Sequence, residues 1–241
     1  MRLEYQILAA VALDLVLGDP RWLPHPVRGI GRLAAVLESL TRRAASHGDR
    51  WRTLRFFCGK GGEGEGTRVL QQPPEDRLQL SPARMRLAGL AVALGVYFVA
   101  GGAAWGAVAL AGLAHPWAAD VASIVIIYTT VAARDLARHS MAVFRPLSAG
   151  DLAEARRNVG AIVGRDTDRL DEAGVVRAAV ESVAESTVDG VTAPLFFAAL
   201  AGPVGAAVYR AANTLDSMFG HQDQQYREFG WAAARIDDAA N

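Results

Sequence analysis

The sequence predicts an all-α, polytopic integral membrane protein, and three observations lead to that fold class. Residues 87–114 carry no charge, and this run exceeds the ~20 residues that a helix needs to cross a bilayer. A second apolar run, 121–133, follows the turn-like His115-Pro116 and reaches a spanning length if residues 116–120 lie in the interface. No strand pattern and no internal repeat accompanies these runs. A buried core helix of a soluble protein is the alternative interpretation of each run.

Composition narrows the classes of partner and site. Lys+Arg and Asp+Glu both number 25, so no net charge indicates a nucleic acid partner. Cys58 is the only cysteine, which excludes a disulfide framework and a cysteine metal cluster. Lys60 is the only lysine, and the many arginines suit phosphate and carboxylate recognition, although an arginine-rich genome explains the same bias. The N-terminal run 5–17 is short and contains Asp14, which is atypical of a cleaved signal peptide.

The N-terminal region predicts two helices joined by a rigid connection. Gly-Asp-Pro at 18–20 and Pro-His-Pro at 24–26 interrupt helical backbone, because proline lacks a donor and restricts the residue before it. An amphipathic helix is predicted over 30–45. Residues 46–83 are rich in glycine, polar and aperiodic, so they predict a flexible insertion within one membrane-embedded helical domain, 1–241. A phosphate-binding loop is the alternative, but the GxxxxGK[ST] pattern is absent.

The second half of the chain predicts further helices that face the cytoplasm. These amphipathic helices are expected over 134–144, 151–163 and 170–185, separated by Pro146 and by a turn at 164–167. Arginine-rich segments precede and follow the two apolar runs, and such segments prefer the cytoplasmic side. The two segments require an even number of crossings between them, which a helical hairpin over 87–133 supplies.

Three carboxylates recur every four residues near the end of the 170–185 helix. Glu181, Glu185 and Asp189 would share one helical face, where they repel one another unless a cation, a metal or a basic partner lies opposite. The alternative is a simple ion pair between Arg177 and Glu181 with exposed neighbours. The pattern is therefore a candidate catalytic or metal site.

A second polar cluster follows the uncharged segment 190–209. Arg210, Asn213 and Asp216 lie three residues apart on one helical face, and their oxygens are the type of ligand that Mg²⁺ prefers. The two clusters can cooperate only if 190–209 folds back on itself. The breaks at Pro194 and at Gly202-Pro203 predict such a reversal, and a straight third membrane span is the alternative.

A third constellation lies directly after the second apolar run. Asp135 and His139 are four residues apart, as are Arg134 and Arg138. The functional interpretation is a phosphate-facing arginine beside a polarised histidine. Solvated ion pairs are the alternative, because such pairs are common on exposed helices and contribute little stability.

Taken together, these segments resemble the adenosylcobinamide-phosphate synthase family of cobalamin biosynthesis, whose members are integral membrane proteins. The resemblance is carried by LDLVLGDPRWLPHPVRGIG at 13–31, RDLARH at 134–139, VGRDTDRLD at 163–171, AAVESVAESTVDGVTAPLFF at 178–197, YRAANTLDSMFG at 209–220 and FGWAAARIDDAAN at 229–241. The order and spacing of these motifs make the resemblance specific, although no single motif does so alone.

The resemblance implies an acid–amine ligase that joins adenosylcobyric acid to (R)-1-amino-2-propanol phosphate, or a related amino-alcohol, with hydrolysis of ATP and with Mg²⁺. It implies catalytic roles for Glu181, Glu185, Asp189 and Asp216, the last three also as metal ligands. It implies substrate or phosphate binding by Asp14, Asp19, His25, Arg28, Arg134, Asp135, His139, Arg165, Asp166, Arg210 and Asn213. Roles within the N-terminal motif, Asp14, Asp19 and His25, are not assigned.

The resemblance also implies a multi-pass protein of the cell membrane with its active face in the cytoplasm. The expected partners are the corrinoid and amino-alcohol phosphate substrates, the membrane and other cobalamin-assembly enzymes, but no nucleic acid. Ser186 stands where the family usually has Asn, and the chain stops at Asn241 where members usually continue, which implies a C-terminal truncation. The alternatives are an inactive fragment, a distantly similar non-catalytic membrane sensor, and a transporter, against which the few apolar segments argue.

Overall fold

A computed structural model describes residues 1–20, 26–57, 81–164, 166–220 and 226–241, with the side chains of 42–57 excepted. All secondary structure in these ranges is helical. The helices are α1 Leu3–Leu17, α2 Pro26–Phe57, α3 Pro82–Ala114, α4 Pro116–Tyr128, α5 Ala133–Ser148, α6 Leu152–Gly160, α7 Glu172–Thr187, a π-helical turn Val188–Thr192, α8 Ala193–Phe219 and α9 Trp231–Ala240. The predicted all-α fold class is therefore confirmed.

In the part of the chain that the structure describes, three stretches are long and apolar enough to cross a membrane. They are Pro82–Ala114, Pro116–Ser148 and Glu172–Phe219. The first is α3, whose 33 residues extend about 50 Å at 1.5 Å per residue, more than the hydrocarbon core requires. Large apolar side chains on α3 are exposed, Phe98 by 83% and Trp105 by 67%, as expected of a lipid-facing surface. These features confirm membrane-spanning helices, while the side that faces the cytoplasm stays a prediction.

The bounds of the predicted insertion at 46–83 are wrong at both ends. Helix α2 continues to Phe57, and α3 begins at Pro82 after Ser81 as its N-cap residue. Polar residues do not by themselves end a helix, and arginine, which recurs at 50, 52 and 55, is a good helix former. Residues 58–80, the remainder of the predicted insertion, lie outside the described residues.

Helix α8 reverses direction at Ala201 and Gly202. Gly202 has φ +62° and ψ −150°, a conformation that is essentially restricted to glycine, and Pro203 begins the second arm. The Phe197 and Tyr209 rings stack with centroids 5.2 Å apart, whereas a straight helix would separate these positions by about 18 Å along its axis. The predicted fold-back is confirmed, and 190–209 is not a straight span.

Two separate cores hold the helices together beside the α8 hairpin. In the first, α1 and α4 pack on both arms of α8 through Ala10, Ile127, Ala198 and Ala206. In the second, α2, α3 and α9 pack on the later part of α8 through Ala34, Val92, Ala93, Val96, Ala211, Leu215, Phe219, Phe229 and Ala233. Both cores use many small side chains, which permits close helix approach in a membrane.

Helices α5, α6 and α7 form a third core, which we name the α5–α7 lobe. Its buried residues are Val143, Ala155, Val159, Val175 and Ala178. Asp151 and Asp171 cap α6 and α7 by accepting the backbone N–H of Glu154 and Gly174, at 2.9 and 2.8 Å. The lobe meets the membrane-facing helices where α7 continues through the π-helical turn into α8.

Candidate functional site

The α8 hairpin and α9 assemble a buried polar cluster. We use this name for buried Tyr209 and Asp237 together with the polar residues around them, which are half-buried Asp189, Arg210, Asn213 and Asp216 and exposed Asn241. Tyr209 Oη donates to Asn241 Oδ1 at 2.7 Å, and Asn241 Nδ2 donates to Asp237 Oδ2 at 3.0 Å. Because the chain reverses at Gly202, Asp189 lies close enough to Tyr209 and Asp237 to act on both electrostatically. Tertiary folding thus brings one member of the predicted acidic stripe to the second polar cluster.

Arg210 is the cation of this cluster. The carboxylates of Asp189 and Asp19 act on it electrostatically, and one guanidinium nitrogen lies 3.5 Å from Asn213 Oδ1. The Nε atom is buried, and no hydrogen-bond acceptor among the described residues reaches it. A buried N–H of a guanidinium requires an acceptor, so Arg210 is suited to an anionic ligand.

Asp237 is a site residue to which the sequence patterns assign no role. Its side chain is only 7% exposed, and burial raises its pKa from 3.8 to about 6, with the charges of Asp216 and Asp189 adding to the shift. A signal was present in the sequence: Ala232, Ala233 and Asp237 share one helical face, and all three are buried. A carboxylate on an otherwise apolar face requires a specific environment.

The two glutamates of the predicted stripe line a different cavity. Glu181 and Glu185, with Ser182, face the 162–164 turn across a cavity of about 240 Å³ in the α5–α7 lobe. Ser182 Oγ donates to the carbonyl oxygen of Ile162 at 2.8 Å, which fixes the turn against α7. Arg165, the predicted phosphate ligand next to this turn, lies outside the described residues.

The predicted single stripe Glu181–Glu185–Asp189 is therefore divided between two environments. The division begins at Val188, where α7 passes into the π-helical turn. A π turn holds more residues than an α turn, so a spacing of four no longer places successive side chains on one face. Glu181 and Glu185 face the lobe cavity, while Asp189 acts on Tyr209 and Arg210.

The structure does not assemble the predicted metal ligands Glu185, Asp189 and Asp216 into one group. Across the described part of the chain, no three His, Cys, Asp or Glu side chains are arranged to hold a metal ion. Glu185 belongs to the lobe cavity, whereas Asp189 and Asp216 are electrostatic neighbours of Asp237. The carboxylates of the buried polar cluster match the chemistry of Mg²⁺ ligands, and their mutual repulsion would be relieved by a cation.

The N-terminal motif and the start of α5 are joined by hydrogen bonds. Asp14, 1% exposed, accepts the backbone N–H of Arg134 at 3.0 Å, and the Arg134 guanidinium donates to the carbonyl oxygen of Val16. Tyr128 Oη donates to the carbonyl oxygen of Gly18 at 2.5 Å. Asp14 and Arg134 thus hold the end of α1 against the α4–α5 junction, which places Asp19 near Arg210.

The other predicted binding residues lie at the protein surface or outside the described residues. Exposed His139 pairs with a residue of its own helix: Nδ1 lies 2.9 Å from the carbonyl oxygen of Asp135 and 3.6 Å from its Oδ2. Arg138 also pairs with Asp135, at 3.4 Å, as the solvated ion-pair alternative expects. Arg28 is exposed in the first turn of α2, and exposed Asp166 accepts the backbone N–H of Asp168 at 3.0 Å. His25 lies outside the described residues.

Comparison with known proteins gives one family and a set of close relatives. The family model described as CobD/Cbib protein matches residues 7–241. The cobalamin biosynthesis protein CobD of Klebsiella pneumoniae subsp. pneumoniae is 44% identical over 229 residues, which cover 95% of this chain and 61% of that protein. The protein of the same name from Geobacter metallireducens is 43% identical over 235 residues, covering 98% of this chain and 62% of the relative.

The cobalamin biosynthesis protein CbiB of Salmonella typhi is 41% identical over 232 residues, covering 96% of this chain and 62% of that protein. The chain therefore spans less than two thirds of the length of these relatives. No solved structure matches the chain.

Proposed function

The chain belongs to the CobD/CbiB protein family, and from that membership we propose that it acts in cobalamin biosynthesis as an ATP-dependent carbon–nitrogen ligase. The proposed reaction joins the carboxylate of adenosylcobyric acid to the amine of (R)-1-amino-2-propanol phosphate, or of a related amino-alcohol, and gives adenosylcobinamide phosphate. The observation that carries the proposal is the family match over residues 7–241. The names of the relatives, which state cobalamin biosynthesis, support the pathway but not the reaction.

The chemistry of the buried polar cluster supports a reaction with phosphoryl transfer. A carboxylate does not react with an amine until its oxygen becomes part of a leaving group, and transfer of a phosphoryl group from ATP supplies one. The amine nitrogen then forms the amide bond as phosphate departs. Both steps develop negative charge on phosphate oxygens, which positively charged groups stabilise. Arg210, a half-buried cation whose Nε is buried, is suited to this role.

Mg²⁺ would neutralise charge on the phosphates of ATP in such a reaction. Asp189 and Asp216 are the carboxylates we propose to hold it, because both lie in the buried polar cluster. Glu181 and Glu185 are proposed to contact substrate from the lobe cavity instead, because their side chains line that cavity.

Proton transfer is the step for which Asp237 is suited. The substrate amine is protonated near neutral pH and must lose a proton before its nitrogen can attack. A carboxylate whose pKa is raised to about 6 is a stronger base than an ordinary aspartate and is still ionised at pH 7. We propose that Asp237 accepts this proton. The active face is proposed to be cytoplasmic, where ATP is available.

The test is amide formation by the purified protein in liposomes with ATP, Mg²⁺ and both substrates, followed by mass spectrometry of the corrinoid product. We expect product only with both ATP and Mg²⁺, and more than a 100-fold loss (an order-of-magnitude expectation, about 3 kcal/mol of barrier) in Asp216→Asn. Asp238→Asn, at an exposed neighbour of Asp237, is the matched control and should react like the wild type. Wild-type rates in Asp216→Asn would refute the site, and product without ATP would refute the reaction.

A second test uses a cobalamin auxotroph that lacks the synthase. Expression of the wild-type chain should restore growth on the corrinoid precursor, and the Asp216→Asn variant should not. Rescue by neither, with both proteins present in the membrane, would contradict the proposed activity of this chain.

A further inference from the structure

Tyr97 of α3 carries a buried hydroxyl that makes no hydrogen bond with any described residue. Its half-buried ring packs on the core that contains Ala233 of α9, one helical turn before Asp237. The carboxylates of Asp237 and Asp216 act on the Tyr97 hydroxyl electrostatically. Tyr97, which has no part in the proposed function as stated so far, is therefore a neighbour of the buried polar cluster on a further helix.

Asp237 offers a buried acceptor that also has no partner. The side chain is 7% exposed, and its Oδ2 accepts Asn241 Nδ2 at 3.0 Å. The other oxygen, Oδ1, is buried and makes no hydrogen bond with the described residues. A phenol hydroxyl and a carboxylate oxygen bond strongly where their geometry allows it. Tyr97 Oη and Asp237 Oδ1 therefore do not meet in hydrogen-bond geometry, although their charges interact.

The unsatisfied atoms of the described chain all belong to this part of the molecule. Besides Tyr97 Oη and Asp237 Oδ1, the remaining buried side-chain atom without a partner among the described residues is Arg210 Nε. Buried polar atoms are nearly always hydrogen-bonded, because an unpaired one costs free energy. Their concentration in one cluster indicates a site whose hydrogen bonds are completed by a ligand.

The chemistry of Tyr97 and Asp237 favours a primary ammonium as the group between them. An ionised carboxylate oxygen can only accept, whereas a tyrosine oxygen accepts as well as donates. A primary ammonium has three N–H donors, enough for both oxygens, and its charge strengthens the bond to the carboxylate. An anionic oxygen in the same position would be repelled by Asp237.

We propose that Tyr97 Oη accepts one N–H of the substrate amine while Asp237 Oδ1 accepts another, so that Tyr97 positions the nucleophilic nitrogen. The inference rests on the proposed function, which supplies the amine and gives Asp237 the role of base. One N–H proton passes to Asp237, and Tyr97 keeps its own proton throughout. Two contacts fix the direction of the nitrogen better than one, which lowers the entropic cost of reaching the reactive geometry.

The first test measures amine binding to wild type and Tyr97→Phe in nanodiscs by isothermal titration calorimetry, without the corrinoid so that no amide forms. The probes are (R)-1-amino-2-propanol phosphate and its N,N-dimethyl analogue, whose ammonium has a single N–H and satisfies one acceptor only. We expect wild type to prefer the primary amine, and Tyr97→Phe to reduce that preference about tenfold, as for one lost hydrogen bond to a charged group.

Tyr5→Phe is the matched control for this measurement, because Tyr5 is exposed on α1 and should not affect the preference. Because each variant is compared with itself, the steric effect of the two methyl groups cancels between wild type and Tyr97→Phe. An unchanged preference in Tyr97→Phe, as expected if a water alone lies between the two oxygens, would overturn the inference. Failure of wild type to bind the primary amine would also overturn it.

The second test separates this contact from a structural one. Tyr97→Phe should leave the unfolding midpoint of the ligand-free protein unchanged or higher, because the hydroxyl that it removes has no partner among the described residues. Tyr128→Phe, which removes the hydroxyl that donates to the carbonyl oxygen of Gly18 at 2.5 Å, should lower the midpoint. Equal losses in the two variants would refute the ligand role of Tyr97.

Amide formation distinguishes a failure of this inference from a failure of the proposed function. If wild type binds the primary amine with the expected preference but forms no amide, the ligase reaction is refuted, and the binding still supports the amine contact. If wild type forms amide and Tyr97→Phe has the wild-type KM for the amino-alcohol phosphate and the wild-type binding preference, the ligase reaction stands and the role of Tyr97 is refuted.

Discussion

Two regions of the molecule place carboxylates in opposite surroundings. In the α5–α7 lobe, Glu181 and Glu185 are exposed and line a cavity of about 240 Å³ that opens to water. In the buried polar cluster, Asp189 and Asp216 act electrostatically on buried Asp237, and Asp189 also acts on the Arg210 guanidinium. Asp189 belongs to the same predicted stripe as Glu181 and Glu185, yet it is half-buried, and Asp237 beside it is buried.

The difference shows that enclosure, rather than residue type, sets the chemistry of a carboxylate. Water solvates an exposed glutamate, so its charge costs little and its neighbours are weakly felt. Asp237 cannot be solvated in this way, and its pKa is raised to about 6 by burial first and by Asp216 and Asp189 next. The enclosed region is thus the one suited to bind a cation or to accept a proton near neutral pH.

The largest effect is expected from a change that separates the two arms of the α8 hairpin. A Cβ at Gly205 would overlap the backbone carbonyl oxygen of Phe197, so Gly205→Ala should cost about 3 kcal/mol of the free energy of unfolding. Gly102→Ala is the matched control, because a Cβ there meets no atom within 4 Å. Thermal unfolding in detergent measures both, and equal midpoints would show that the close approach of the arms does not stabilise the protein.

The next effect is a pH dependence that belongs to the buried cluster alone. The folded-state pKa of Asp237, about 6, exceeds the ordinary value of 3.8, so the folded protein holds this proton more tightly than the unfolded chain does. Its contribution to stability is present below pH 4 and is lost as the pH rises to 6. Asp237→Asn has no carboxyl to ionise, so it should not lose this contribution as the pH rises. The unfolding free energy of the variant minus that of wild type should therefore increase by about 2 kcal/mol from pH 4 to pH 7.

Asp238→Asn provides the comparison for that measurement, because Asp238 is the exposed neighbour on the same helix. Denaturant unfolding at a series of pH values gives the unfolding free energy of each variant and of wild type. The contributions of all other titratable groups cancel when the wild-type value is subtracted. If the difference in unfolding free energy between Asp237→Asn and wild type does not change with pH, the Asp237 carboxyl is solvated like those of the lobe.

A smaller effect is expected in the lobe, at the hydrogen bond that shapes its cavity. Ser182→Ala removes the donor to the carbonyl oxygen of Ile162, a contact between elements, and should cost about 1 kcal/mol. Ser217→Ala is the control, because exposed Ser217 donates to the carbonyl oxygen of Asn213 in its own helix and ties no second element. Similar unfolding midpoints in the two variants would contradict a structural role for Ser182.

The smallest effect is expected from Glu185→Gln, which keeps the shape of an exposed side chain. Its unfolding free energy should change by less than about 0.5 kcal/mol, as for most surface substitutions. If the lobe cavity contacts substrate as proposed, amide formation should nevertheless fall while stability holds. A large loss of stability in this variant would show that Glu185 is not solvated and would weaken the contrast between the two regions.

Several features of the fold follow from the sequence because they depend on local chemistry. The apolar run 87–114 is long enough to span a bilayer whatever surrounds it, and Gly202 followed by Pro203 cannot continue an ordinary helix. The grouping of Arg210, Asn213 and Asp216 also follows from spacing, since one helix face holds all three. Family membership was equally readable, because the motifs occur in a specific order along the chain.

Other features were decided only when the helices packed. The π-helical turn at 188–192 divides the predicted acidic stripe. Four-residue spacing places side chains on one face only along an unbroken α-helix, so the spacing did not indicate this division. Asp237 enters the cluster because α9 packs against α8 and α3, a contact between segments distant in sequence. Burial, and with it the pKa of a carboxylate, is a property of all the atoms around a group, so the tertiary structure alone determined which acids are enclosed.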